Sequence, residues 1–133
     1  MIGCCFALLL MTACVNGQIP QRAEAFIGKN FPGCSAVLVE VGEEDDEPEL
    51  RVWLTDGTRI EFDMQGEWRR VARKKSGVPQ KLLPAPIVEY VKANYPNDVV
   101  TKFSKKAYGF KLELSDDIDL RFDTQGQFLE VVD

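Results

Sequence analysis

Residues 54–71 read LTDGTRIEFDMQGEWRRV, and residues 114–131 read LSDDIDLRFDTQGQFLEV. The second stretch restates the first at an offset of sixty (54 to 114). Leu54, Ile60, Phe62, Asp63, Gln65, Gly66, Trp68 and Val71 meet Leu114, Leu120, Phe122, Asp123, Gln125, Gly126, Phe128 and Val131. Each stretch reads as strand, turn, strand, turn, strand. Asp56-Gly57 is a two-residue hairpin signal, because glycine supplies the positive φ that such a turn needs. Asp116-Asp117 stands in its place in the second stretch, where aspartate tolerates that conformation less readily and a looser turn is expected. Asp63 and Asp123 end matching strands ahead of a glycine turn, which suits them to accept hydrogen bonds from the turn's N–H groups.

A second repeated block lies upstream of each stretch. Pro20, Ala23, Phe26, Ile27, Asn30, Phe31 and Pro32 recur as Pro84, Ile87, Tyr90, Val91, Asn94, Tyr95 and Pro96, with Pro20 and Pro84 sixty-four apart (20 to 84). Apolar residues three and four apart make one stripe of a helix, and proline is tolerated at its start and stops it at its end. The spacing predicts helices over 20–31 and 84–94. The offset falls by four between the blocks because the first copy carries a longer loop, 43–49.

First strands are expected at 36–41 and 99–105. The chain therefore divides into an N-terminal stretch 1–18, a first repeat 19–72, a basic connector 73–83 and a second repeat 84–133. The fold class is α+β, a tandem duplication of a helix followed by a four-stranded antiparallel β-meander. Val52, Leu54, Ile60 and Phe62 fall on one sheet face, with Leu112, Leu114, Leu120 and Phe122 in the second copy. Arg51, Arg59, Glu61, Lys111, Glu113, Asp119 and Arg121 fall on the other. A sheet with one apolar face needs a cover, which the helix of its own repeat supplies.

The N-terminus reads as a targeting segment. An apolar run over 6–11 is followed by Thr12, Ala13 and Cys14. It is too short to span a bilayer as a lasting helix and has the form of an export signal core. Leu10 to Cys14 resembles a bacterial lipoprotein box with Cys14 as the lipidated residue, although a positively charged start is missing. Simple cleavage and a buried N-terminal element are the other readings. Lipidation would hold the domain to a membrane only through acyl chains. With Cys4, Cys5 and Cys14 in this segment, the folded body retains Cys34 alone and no intrachain disulfide.

Of 133 residues, 45% are hydrophobic and 28% charged, with a net charge of −5 and no histidine. The acidic body argues against a nucleic-acid partner, which needs clustered Lys and Arg. Without histidine, the commonest general base and transition-metal ligand are both missing, which weighs against an enzyme. No cofactor is expected.

Two surfaces stand out as candidates. Between Glu43 and Glu49 six of seven residues are carboxylates (Glu43, Glu44, Asp45, Asp46, Glu47, Glu49). A solvated hairpin loop, a contact for a basic partner and a calcium site are the three readings. The ordered spacing and central glycine of a calcium loop are missing from it. Trp53 falls by alternation on the charged face beside Arg51 and Arg59. Aromatic and arginine residues on such a face have the composition of an interface anchor. Tyr108 and Phe110 could extend that face in the second copy. The competing reading is a ring laid over arginine stems or covered by the other repeat.

The leader ending Thr12-Ala13-Cys14, the helix ends Asn30-Phe31-Pro32 and Asn94-Tyr95-Pro96, and the duplicated strand-turn blocks together resemble the PepSY-like, beta-lactamase-inhibitor-like proteins exported by Bacteroides and its relatives. The resemblance covers nearly all of the chain after the leader. It implies a tandem helix-plus-four-strand fold, a location in the cell envelope, periplasmic or anchored to the outer membrane, and a protein-binding or inhibitory role with an envelope protein as partner. The matching positions are turn glycines, helix-stopping prolines and core aromatics, so they carry over structure and no contact residue. The expected function is that of an exported, non-enzymatic binding protein. The alternatives are a structural envelope lipoprotein and a weak calcium or small-ligand binder.

Overall fold

The computed structural model describes residues 19–132, so the leader and Cys14 lie outside the described residues. Contacts divide the chain into two compact units, one ending at Trp68 and the other beginning at Arg69. Within each unit the strands neighbour one another in chain order. Every pairing described below is antiparallel.

The first unit opens with α1 (Gln21–Asn30). Pro20 precedes it in extended conformation, and its carbonyl accepts from the N–H groups of Ala23 and Glu24. The helix stops at Phe31 (φ −133°, ψ 61°), ahead of Pro32. The Asn30 side chain donates back to the Phe26 carbonyl at 2.9 Å, which satisfies its amide within the last turn. Three strands follow, β1 (Ala36–Glu44), β2 (Glu47–Leu54) and β3 (Arg59–Phe62). Ala23, Ile27 and Phe31 close over Leu50, Val52, Leu54, Ile60 and Phe62, all buried. Phe26 stacks on Trp68 at 5.6 Å and meets Phe62 edge-on at 5.8 Å. Full burial of one such phenylalanine stabilises the fold by about 1.5–3 kcal/mol.

The second unit repeats this plan with β4 (Trp68–Ala72, of which Trp68 packs in the first unit), α2 (Ala85–Asn94), β5 (Val100–Lys106), β6 (Gly109–Leu114), β7 (Asp119–Asp123) and β8 (Phe128–Val132). Tyr95 ends α2 with nearly the angles of Phe31 (φ −137°, ψ 60°), and Asn94 donates to Tyr90 as Asn30 does to Phe26. Tyr90 stacks on Phe128 at 4.6 Å and meets Phe122 edge-on at 5.5 Å. Asp63 Oδ1 accepts from the N–H groups of Gln65 and Glu67, and Asp123 Oδ1 from those of Gln125 and Gln127. The aspartate role expected from the sequence is therefore met twice.

Two expectations are corrected. The segment 43–49 is mostly strand and not an open loop: Glu43 pairs with Pro48 and Glu44 with Glu47. Only Asp45 and Asp46 turn, both at positive φ (54° and 65°), the pattern of a type I′ hairpin. The turn at Asp117 is not loose, because Asp117 (φ 69°) donates to the Leu114 carbonyl at 3.0 Å as Gly57 (φ 88°) does to Leu54. On β8, a bulge lies between Phe128, opposite Phe122, and Glu130, opposite Arg121. It returns Val131 to the face of Phe128 and leaves Leu129 half exposed. The connector is tied to β5 at two points. Lys74 and Lys75 are exposed, whereas Arg73 and Val78 donate to the carbonyls of Thr101 and Val100 on β5.

Candidate functional site

Hairpin register brings one face of β1–β3 together. Trp53 stands between Leu38 on β1 and Arg59 on β3, while Arg51 stands between Glu40 and Glu61. Residues two apart on a strand share a face, so Glu49, Arg51 and Trp53 line up along β2. Trp53 is half-buried and Leu38 is 49% exposed. Trp53, Arg51 and Arg59 thus occupy the charged face that alternation assigned to them.

Arg51 organises this face. Its Nε donates to Glu49 Oε2 at 2.9 Å, its Nη2 to the Glu43 carbonyl at 3.1 Å, and its Nη1 lies 3.8 Å from Glu40 Oε1. The hydrogen bond to Glu49 is the main reason its pKa is raised, with burial pulling the other way and Glu49, Glu61 and Glu40 adding attraction. The guanidinium passes over Gly42, where a Cβ would come within 2.5 Å of its Cζ. Glycine at this strand position is what lets the arginine reach Glu43 and Glu49 together.

Beneath it lies a feature that alternation did not reveal. Glu49 and Glu61 are only 1% and 2% exposed. With Glu44 they form a group whose carboxylate oxygens all lie within 4.8 Å of one another. Arg59 Nε contacts Glu61 Oε2 at 3.1 Å, at an angle short of a hydrogen bond. Two arginines therefore face three carboxylates. Hard oxygen donors at this spread suit a calcium ion, whose bonds run about 2.3–2.6 Å. Glu43, Asp45 and Asp46 belong to the same hairpin but are exposed, outside that group. Alternation placed Glu61 on the charged face, but the two-residue turn read at Asp56-Gly57 would set Arg51 across from Phe62; the turn takes in Thr55, Asp56 and Gly57, and that sets Arg51 across from Glu61. The burial of Glu49 carries no such signal.

In the second unit Tyr108 is 39% exposed at the β5–β6 turn, with the Arg121 guanidinium over its ring at 5.3 Å. Burial raises the Tyr108 pKa, with Arg121 opposing it. Phe110 is a correction. It pairs with Phe122 and stacks on Phe103 at 5.4 Å, so it lies on the apolar face and cannot extend the charged one. Phe110 lies two residues before Leu112 and so shares its face, not that of Lys111. This unit also holds a cavity of about 430 Å³ between the connector and α2, walled by Val78, Leu83, Val91 and Tyr95 with Arg73 and Lys92 among its lining.

A duplicated helix-and-meander unit with an acidic, arginine-bridged sheet face defines a class of small tandem α+β proteins. The chain belongs to the family described as "Putative beta-lactamase-inhibitor-like, PepSY-like", which matches residues 48–130. It is similar to a solved structure described as a "putative periplasmic protein of unknown function" from Bacteroides vulgatus, at 30% identity and TM-score 0.83 over 88% of this chain and 94% of that one. A second, from Bacteroides thetaiotaomicron and described as a "putative calcium-regulated periplasmic protein", shares 30% identity at TM-score 0.80 over 88% and 92%. A third, a periplasmic protein of Bacteroides vulgatus, shares 29% identity at TM-score 0.78 over 88% and 92%. No curated protein matches the chain. The protein is thus an exported one, related to periplasmic Bacteroides proteins. Among the described residues no helix is long and apolar enough to cross a membrane.

Proposed function

We propose that this protein is a non-enzymatic binding module of the cell envelope, tethered by lipid at Cys14, that meets a partner protein through the charged face of β1–β3. One observation carries this reading. Trp53 sits half-buried beside an exposed Leu38 and between arginines, on a face whose charges are already held in place. Anchors of this kind lose little entropy on binding. Retention of an envelope protein by the immobilised full chain, lost with Trp53→Ala and unaffected by Tyr108→Ala, is the expected result. Equal retention by Trp53→Ala overturns it. Inhibition of a beta-lactamase is the finer form of this reading, tested by adding the protein to beta-lactamase assays.

A second reading rests on the Glu44–Glu49–Glu61 group, supported by the related protein described as calcium-regulated. In this reading calcium takes the three carboxylates and stiffens the β1–β2 hairpin. Calorimetric titration with calcium should show a site that Glu61→Gln removes. A titration identical in the variant sinks it.

A further inference from the structure

The duplication shows what is missing from the edge of β1. β5, its counterpart, has a strand on each side: β6 on one, and β4 on the other through Arg70↔Ser104, Val71↔Phe103 and Ala72↔Lys102. Among the described residues β1 pairs with β2 alone. The two strands superpose by sequence at sixty-four. Each carries the same register shift, between Ala36 and Leu38 and between Val100 and Lys102. Leu38, Val39 and Glu40 are therefore the positions at which a strand docks in the second repeat.

The chemistry at those positions differs in a directed way. In the second repeat Arg70 Nε donates to Ser104 Oγ at 3.1 Å, and Val71 covers Phe103, both fully buried. In the first repeat the serine is Glu40, held only by the 3.8 Å contact with Arg51, and the phenylalanine is Val39. An incoming arginine would meet a carboxylate, making a charge-assisted pair where the second repeat has a neutral acceptor. Phe110, which stacks on Phe103, is replaced by Leu50. The smaller side chains leave an open recess of about 550 Å³ beside the edge, lined by Ile19, Pro20, Val39, Val41, Leu50 and Met64. Val41 is 66% exposed there.

The geometry points to the β1 edge as the docking site of a basic, extended segment of a partner protein. Its arginine faces Glu40, and its neighbouring apolar residue enters the recess. Strand addition of this kind draws affinity from main-chain hydrogen bonds and specificity from alternate side chains. The acidic run Glu43–Glu47 along the same hairpin favours a basic segment. A second copy of this chain is disfavoured. Its β8 is the counterpart of β4, and would set Glu130 (70 plus sixty) against Glu40. The chain's own residues 4–8, at the sequence position matching β4 (68–72 less sixty-four), read CCFAL and hold no arginine. This site is the edge of the strand whose Leu38 and Glu40 also lie on the face bearing Trp53.

The test uses the exported full chain and a labelled peptide of the sequence of residues 67–75, EWRRVARKK. Amide shifts on binding should concentrate in 36–41. Glu40→Arg should weaken binding about ten-fold, near 1.4 kcal/mol, and a peptide with Glu in place of the Arg70 residue should recover that loss. Glu40→Gln should fall between, and Glu89→Gln on α2 should leave the affinity unchanged. Equal binding of a scrambled peptide, shifts confined to the hairpin tip, or failure of the charge swap with the variants still folded would each overturn the proposal. Loss of partner retention with Trp53→Ala while this peptide still binds separates the face from the edge.

Discussion

At the scale of single residues, the two repeats act as controls for one another. Thr58 is fully buried and its hydroxyl has no hydrogen-bond partner among the described residues, while the second repeat carries Ile118 at that place. A buried hydroxyl without a partner costs about 1–3 kcal/mol. Thr58→Val should therefore raise stability by about 1 kcal/mol, read as a higher denaturant midpoint. Asp117 holds a left-handed conformation that Gly57 adopts without strain. Asp117→Gly should stabilise by about 0.5–1 kcal/mol, checked by the same measurement. Arg51→Ala acts in the other direction. It strips the buried Glu49 of its 2.9 Å ionic hydrogen bond, leaving that carboxylate without its arginine, so the thermal midpoint should fall. A thermal midpoint unchanged in Arg51→Ala would show that another group satisfies Glu49.

At the scale of elements, the same contact recurs in both units with different exposure. Trp68 is half-buried over Phe26, whereas Phe128 is 36% exposed over Tyr90. Trp68→Ala should cost about 3 kcal/mol and Phe128→Ala less, because a side chain that keeps more surface in water loses less on removal. Paired equilibrium denaturation curves test the order, and a larger loss at Phe128 would contradict it. The elements themselves were readable because each has a strong local signal: a proline entrance and an aromatic-proline exit for the helices, and Asp-Gly or Gln-Gly turns for the hairpins. Strand ends were less readable. β1 runs on to Glu44 because two consecutive aspartates adopt the turn conformation, which the charge run disguised as a loop.

At the scale of the whole molecule, a net charge of −5 and a hairpin tip of exposed carboxylates set a negative field, which would steer the basic partner proposed above. Replacing Glu43, Asp45, Asp46 and Glu47 by neutral amides should slow association about ten-fold at low salt and flatten its salt dependence, with dissociation little changed. Stopped-flow association at several ionic strengths decides this. A dissociation rate that rises as much as the association rate falls would place those residues inside the contact.

Duplication, helix positions, the inward face of each sheet and the place of Trp53 among arginines followed from the order of residues along the chain, since period and turn chemistry are local properties. Three things were settled only in three dimensions. Glu49 and Glu61 are buried because hairpin register and neighbouring side chains cover them, which no residue type announces. The facing of Phe110 was legible, since it shares the parity of Leu112, but its stack on Phe103 depends on the pairing of β5 with β6. The edge of β1 that no strand pairs among the described residues emerged by comparison with β5, because pairing is a property of the packing, and the residues of β1 do not encode it.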